Sequence, residues 1–388
     1  MKILFLVYHG FSDISGISKK IHYQVKGLRQ NGHEVHLCYY DLGDNGHWQR
    51  RISVSETAPS ADDYILQDFG ASKMAGLRQR IAYTPLRDYC VLNGIQMVYA
   101  RCFQNANPFL VHFFKELKKA GIKSVMEIPT YPYDQEFQGF SFLELTQLHI
   151  DQIFRRQLAH QLEAIVTFTN EKEIFGQRTI NISNGVDLES IPLHQPVDSS
   201  KELHLIGVAE VHFWHGFDRL IAGLGEYYQH ETVPKPVFFH VVGGVWKSEM
   251  HDSQHARGFA ELIEEYGLQD KVIFHGQLFG DALDNVFRLS SFAVGSLARH
   301  RSGITDIKTL KNREYASRGL PFVYSECDSD FDNQPYVLRV PADETPIDIR
   351  RIVQFEEQLT LSPQQIRQTV EHLSWKRQMQ TVVEQSFV

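Results

Sequence analysis

Arg299-His300-Arg301-Ser302-Gly303-Ile304-Thr305-Asp306-Ile307-Lys308-Thr309-Leu310-Lys311-Asn312-Arg313-Glu314-Tyr315-Ala316-Ser317-Arg318-Gly319-Leu320-Pro321 is the stretch on which the reading of the chain turns. The apolar run Phe292–Val294 leads into it, and the strand-like run Phe322-Val323-Tyr324 follows. Between them lie a polar loop with Gly303 and a short helical segment, closed by Gly319 and Pro321 as helix C-termini commonly are. Strand, loop, helix, strand is one α/β unit, and its loop falls at the carboxyl edge of the sheet, where open α/β folds bind ligands. The helix start offers amide N–H groups and the positive end of a dipole, a setting that favours phosphate. Lys311 and Glu314, three apart, share a helix face.

Working outward, the same alternation fills the chain. Lys2–Val7 reads as a buried parallel strand rather than a signal peptide, because its apolar core is short and no small-residue cleavage site follows. Ile17, Ile21, Val25 and Leu28 recur at helical spacing up to Asn31-Gly32. Residues 41–73 read as a polar insertion with a short strand at Tyr64–Leu66, and one helix is expected over Lys73–Leu92. Strands are expected at Ile95–Ala100, Lys123–Ile128 and Ala164–Phe168, with helices at Pro108–Ala120 and Phe142–Gln161. The loop Glu127–Asp134 is stiff and aromatic, with Tyr131 and Tyr133 suited either to sugar stacking or to a structural turn. Pro192 and Pro196 bracket a polar linker. Beyond it come strands at Leu203–Val208, Val237–Val242 and Val272–His275. Helices are expected at Phe217–Tyr228, Phe259–Tyr266, Ala282–Leu289 and Trp375–Phe387.

The length of 388 residues suits two domains. The net charge of −8 speaks against a nucleic-acid binder. Residues 1–197 balance in charge, so the acidic excess lies in the second half. Local basic clusters at Lys73, Arg78, Arg80 and Arg87, at Lys115, Lys118, Lys119 and Lys123, and at Arg155 and Arg156 fit solvated helix faces or a surface meeting anionic lipid. No apolar run is long enough to span a membrane. The four cysteines show no paired spacing, which argues against a disulfide framework or metal site and fits a reducing cytoplasm. His251 and His255 lack a third ligand, so no metal is expected. No Gly-x-Gly-x-x-Gly follows the first strand, which disfavours a dehydrogenase.

Asp306, seven intervening residues and Glu314, followed by Gly319-Leu320-Pro321, resemble the acidic pair of retaining nucleotide-sugar glycosyltransferases of the GT-B fold, glycosyltransferase family 4-like. There the pattern is usually Glu, seven residues, Glu. Leu310-Lys311-x-Arg313-Glu314-Tyr315 is similar to bacterial members that build surface polysaccharide, and Asn184-Gly185-Val186-Asp187 to the segment near their interdomain hinge. The resemblance implies an α/β chain of two Rossmann-like doubly wound domains facing each other across a cleft. Residues 1–190 would bind the acceptor, residues 198–374 the nucleotide-sugar, and the helix in 375–388 would cross back.

It further implies Asp306, Lys311 and Glu314 as the catalytic set. Donor contacts would come from Gly16, Glu210, His215, Arg219, Gly303, Ile304, Thr309 and Leu310, and acceptor contacts from Ile17, Tyr131 and Tyr133. Lys311 and the helix start would receive the leaving pyrophosphate, Asp306 would hold sugar hydroxyls, and Glu314 would touch the ribose. The partners implied are a nucleoside-diphosphate sugar and a glycan or polyprenyl-linked acceptor, with no cofactor and no metal, in the cytoplasm or at the inner face of the membrane. One departure stands out. Relatives usually grip the diphosphate with an Arg and a Lys five apart; if Gly216 matches the family's glycine, Glu210 and His215 stand in their places, and a carboxylate there repels phosphate. Open alternatives are a nucleotide-sugar epimerase of the same fold, a non-catalytic binding protein, and, for the motif itself, an exposed salt-bridged helix face.

Overall fold

The computed structural model describes residues 1–11, 16–55, 60, 62–72, 74–134, 142–230, 233, 235–245, 250–251, 257–304 and 306–387. Ser15, Lys73 and His255 lie outside that set. The chain divides into two compact units, Met1–Ser183 with Trp375–Val388, and Asn184–Ser374. The division falls ahead of the Pro192–Pro196 linker.

The first unit opens with β1 (Lys2–Leu6), α1 (Gly16–Gln30) and β2 (Glu34–Leu42). Next come β3 (Trp48–Ser53), β4 (Tyr64–Gly70), α2 (Ala75–Ile81), α3 (Thr84–Leu92), β5 (Met97–Arg101), α4 (Pro108–Lys119) and β6 (Lys123–Ile128). It continues through α5 (Phe142–Ala159), β7 (Ala164–Thr167), β8 (Glu173–Ile174) and β9 (Gln177–Asn181). The strand order is β4-β3-β2-β1-β5-β6-β7-β9-β8. Pairing is parallel from β2 to β9, with β3, β4 and β8 added antiparallel. Alternate residues of β1 feed opposite faces, as strand geometry requires. Ile3 and Phe5 pack with Ile21, Val25 and Leu28 of α1, while Leu4 and Leu6 pack with Phe113 and Phe114 of α4.

Two expectations are corrected here. Residues 41–73 are no loose insertion, because β3 and β4 form a meander on β2. A strand written Trp-Gln-Arg-Arg-Ile-Ser hides its burial: Arg50 is buried, and its guanidinium donates to the Gln67 side chain, to Ala82 O at 2.8 Å and to Gln79 O at 2.7 Å. The helix expected over Lys73–Leu92 is two helices, α2 and α3. Pro85 sits in the first turn of α3, where its missing N–H costs nothing, and could not sit inside one continuous helix.

The second unit runs through β10 (Leu203–Val208), α6 (Phe217–Gln229), β11 (Val237–Val242), α7 (Phe259–Tyr266), β12 (Val272–Gly276), α8 (Gly280–Leu289) and β13 (Phe292–Val294). It ends with α9 (Leu310–Arg318), β14 (Phe322–Tyr324), β15 (Val337–Arg339), α10 (Ile349–Gln358) and α11 (Pro363–Gln368). The strand order is β12-β11-β10-β13-β14-β15, and every pair is parallel. That is the doubly wound order 3-2-1-4-5-6, whose direction reverses between β10 and β13. The last helix, α12 (Trp375–Ser386), returns to the first unit and buries Trp375, Met379 and Val382 beside α1. Burying side chains of this size stabilises by roughly 1.5–3 kcal/mol each.

Arg313, on α9, is completely buried. Its two terminal nitrogens grip Asp328 at 2.6 and 3.0 Å, one also bonds Asp330, and the other donates to Thr309 O at 3.0 Å. The pair staples the turn after β14 onto the helix.

α1 and the start of α12 touch at Gly27, where a Cβ would lie 2.7 Å from Trp375 O. Gly27→Ala is expected to destabilise by about 1–3 kcal/mol, the usual range for overpacking. Gly76→Ala, where a Cβ meets nothing within 4 Å, is the control. Arg313→Met, which leaves Asp328 buried without its cation, is expected to cost about 3–5 kcal/mol. Urea unfolding midpoints check both, and variants indistinguishable from the parent would refute the two packing assignments.

Candidate functional site

The reversal point of the second sheet gathers four loops. The turn after β10 supplies His212 and His215, that after β13 supplies Ser296 and Arg299, the start of α9 supplies Lys311, and the turn after β14 supplies Glu326. Gly216 makes the first turn feasible, with φ +64 and a would-be Cβ 2.8 Å from Ala298 Cβ.

Lys311 is half-buried, with Nζ 3.5 Å from Ser296 Oγ and no ion pair within 4.0 Å among the described residues. Burial lowers its pKa, Glu326 pulls it back up, and Arg299 pushes it down; the net direction is down. Burial raises the pKa of Glu326 despite the nearby Lys311 and Arg299. Glu326 is 2% exposed, and its Oε2 finds no partner among the described residues. Arg299 stacks over the Trp214 ring at 5.4 Å, and its buried Nε is likewise unpartnered. His215 is kept neutral, first by burial and then by Lys311 and Arg299. Its Nδ1 accepts from the His212 amide at 2.9 Å, so the ring's proton sits on Nε2. Thr309 stands at the N-cap of α9 without capping it, and its buried Oγ1 has no partner among the described residues. The cluster is a half-buried cation group with open donors on a helix N-terminus, a setting made for an anion.

The other expected residues are placed as follows. Asp306 is exposed and pairs its backbone with Cys327, beside Glu326. Glu314 does not join Lys311: its carboxylate accepts from Arg318 at 2.9 and 3.0 Å, and Arg318 also reaches Asp284 at 2.8 Å. The sequence also allowed an exposed salt-bridged helix face; the ion pair is present, but the face is not exposed, since Arg318 is buried and Glu314 half-buried. Glu210 is exposed and accepts from Gln277 at 3.3 Å. Arg219 is buried, and four of its guanidinium N–H groups are committed to Leu297 O, Thr345 O, Pro341 O and Asp343. Arg301 is likewise held by Asp218 and Glu344. Gly303 closes the Arg299–Ser302 turn with φ +69, Ile304 lines a pocket, and Leu310 is exposed. Asn184 belongs to this unit and donates to Lys308 O at 2.6 Å.

In the first unit, Gly16 begins α1 with open space around it, and Ile17 is 48% exposed, off the buried stripe of its helix. Tyr131 is partly exposed, edge-on to Phe175. Tyr133 is core: it is 2% exposed and gives its hydroxyl to Asp151 at 2.6 Å, so the acceptor contact expected of it has no surface. The reversal between β1 and β5 holds a cluster that the sequence reading passed over. Glu127, fully buried, accepts from Arg101 at 2.5 Å, Tyr99 at 2.5 Å and Gln24 at 2.6 Å, with Lys20 at 3.2 Å. Burial pushes its pKa up, but Lys20 and Arg101 overcome that and hold it at about 2. Among the described residues, no group of His, Cys, Asp and Glu could hold a metal ion, and no helix is long and apolar enough to cross a membrane.

No protein-family model and no curated protein sequence matches the chain. Solved structures do match. The catalytic domain of starch synthase IV from Arabidopsis thaliana, bound to ADP and acarbose, aligns with 100% of this chain and 98% of its own, at TM-score 0.60 and 10% identity. The pneumococcal O-GlcNAc transferase GtfA, with UDP and GlcNAc, aligns over 100% and 98% at TM-score 0.54 and 9% identity. HepE of Anabaena, with UDP and glucose, aligns over 100% and 95% at TM-score 0.51 and 16% identity. At such identities the likeness speaks to fold, and the fold is GT-B, with two Rossmann-like domains.

Proposed function

We propose that the chain is a retaining glycosyltransferase, moving a sugar from a nucleoside diphosphate to a glycan or lipid-linked acceptor in surface polysaccharide synthesis, without a metal. The observation that carries this reading is the half-buried Lys311 on the uncapped start of α9, beside Arg299 and the Nε2–H of His215. As the bond to the anomeric carbon breaks, negative charge grows on the diphosphate. Fixed cations and N–H dipoles in a site of low dielectric stabilise that charge more than water would. Lys311, the α9 amides and Arg299 take this task, filling the place that Glu210 vacates. Asp306, at the mouth of the same loops, holds donor hydroxyls, and Glu314 meets the ribose by exchanging part of its bond with Arg318. Three solved structures similar to this chain hold UDP or ADP, which supports a nucleotide donor. A second reading, nucleotide-sugar binding without transfer, draws on the commitment of Glu314 to Arg318.

Thermal shift with UDP, GDP and ADP, followed by donor-consumption assays with and without acceptor mixtures, separates these readings. Binding without consumption supports the second. Lys311→Ala is expected to cut transfer roughly a hundredfold or more, the scale of losing an oxyanion-stabilising donor. Parent-like turnover in that variant would overturn the assignment. The pH dependence follows from the lowered pKa of Lys311. Free lysine loses its proton as pH rises through that value, whereas a bound diphosphate raises the pKa again. Binding on the alkaline side therefore takes up a proton, and affinity falls with rising pH. Calorimetry in two buffers of different ionisation enthalpy reads the uptake, and equal heats in both would contradict it.

A further inference from the structure

Next to the Lys311 cluster, over the carboxyl ends of β13, β14 and β15, the second unit has a pocket of about 430 Å³. That volume lies within the roughly 300–1,000 Å³ usual for small-molecule sites. Four basic side chains line it, Arg299, His300, Arg339 and Arg351, against a single carboxylate, Glu326. Apolar residues such as Ile304 and Val340 complete the wall. Only part of this charge is unspent, for His300 pairs with Glu344 at 2.7 Å and Arg339 with Asp332 at 3.6 Å. Arg299 and Arg351 have no ion-pair partner within 4.0 Å among the described residues, and the buried Nε of Arg299 and Nδ1 of His300 make no hydrogen bond there. Besides its ion pair, Arg339 donates to Cys327 Sγ at 3.3 Å. Glu326, 2% exposed, keeps Oε2 open. Polar atoms buried without partners are costly, and a wall with open donors and one open acceptor is complementary to a ligand carrying an anionic group and hydroxyls.

We propose that this pocket binds an acidic sugar, with Arg339 and Arg351 on its carboxylate or phosphate and Glu326 Oε2 accepting from one of its hydroxyls. The proposal rests on the glycosyltransferase reading and deepens it: one of the two sugars that the site handles is anionic. Arg299 borders both this pocket and the Lys311 cluster, whereas Lys311 does not line the pocket and Arg339 and Arg351 take no part in the cluster, so the anion they hold is distinct from the donor diphosphate. The carboxylate of a hexuronate on the donor and the phosphate of a sugar phosphate acceptor present the same chemistry.

Calorimetry with the full chain distinguishes the sources. One arm compares UDP-glucuronic acid with UDP-glucose. The other compares glucose 6-phosphate with glucose, with and without UDP. In at least one arm the acidic ligand is expected to bind tenfold or more tighter than its neutral counterpart. Arg351→Ala, at an exposed position where folding is insensitive, is expected to erase that preference while UDP alone binds as before. Glu326→Gln should weaken the sugars and spare inorganic phosphate. Neutral and acidic ligands binding alike in both arms would overturn the proposal. So would a loss of UDP affinity in Arg351→Ala, because the pocket would then be the diphosphate site itself. If glucose 6-phosphate binds through Arg351 while no nucleotide binds, the pocket stands and the donor reading falls.

Discussion

The second unit depends on one buried contact, the two-pronged grip of Arg313 on Asp328. Arginine does not lose its proton in a protein, so it cannot relieve burial by becoming neutral and must keep its carboxylates. Asp328 in turn starts a wired turn: its amide donates to Asp332 at 3.0 Å, which also accepts from Tyr324 at 2.7 Å. The turn that carries Glu326 is thereby fixed to the helix that carries Lys311. From the other side, the Tyr315 hydroxyl accepts from the Val208 amide at 3.0 Å and donates to Val294 O at 3.1 Å, tying the same helix to β10 and β13. Lys311 therefore stands at the reversal of strand order because residues on either side of it are pinned, while its own head is left without a contact ion pair among the described residues.

Held this way, the site carries electrostatic strain. Burial drives Lys311 and His215 toward neutrality and raises the pKa of Glu326. Each shift records a group that would be better solvated in water. A bound anion relieves the cationic members together, so binding and proton uptake are coupled through one geometry. The chain as a whole is acidic, with the excess in this half, yet the walls of the pocket are basic. Net charge describes the solvated surface, not the sign of a recess.

Much of the scaffold was legible in the sequence because it follows from apolar runs and turn residues. The strands Leu203–Val208, Val237–Val242 and Phe322–Tyr324 and the helix Phe259–Tyr266 emerge with the expected bounds. α9 stops at Gly319, whose φ of +82 and crowding by Pro363 backbone leave no room for a side chain. What stayed hidden is polar burial. β3 reads as loop because its buried arginine finds carbonyls from α2 and its flank. Tyr133 reads as a sugar platform because Asp151, its partner, lies 18 residues away on α5. Glu326 escaped notice because it lies outside the motif, and only the pinned turn brings it back to Lys311. Glu314 and Arg318, by contrast, carry their pairing in plain i, i+4 spacing.

The two units pose the same topological problem and solve it differently, which locates the chemistry. Each sheet reverses its order beside its first strand, and each places a buried carboxylate among cations at that edge. In the first unit both oxygens of Glu127 are satisfied, by Arg101 and Lys20 on one and by Tyr99 and Gln24 on the other, and its pKa is held at about 2, although Gln24 Oε1 finds no partner among the described residues. A site so completed offers its carboxylate no reason to meet a ligand; it fixes α1 against β5 and β6. In the second unit, among the described residues, the matching carboxylate keeps one oxygen open, the arginine beside it keeps Nε open, and the lysine meets a serine hydroxyl at 3.5 Å but no carboxylate within 4.0 Å. Buried polar groups in folded proteins are nearly always partnered, and the exceptions concentrate where something else supplies the partner. Unpartnered buried polar atoms occur in both units, but only at the reversal of the second sheet do a carboxylate and the arginine beside it leave them together among the described residues, and this clustering supports the proposed site.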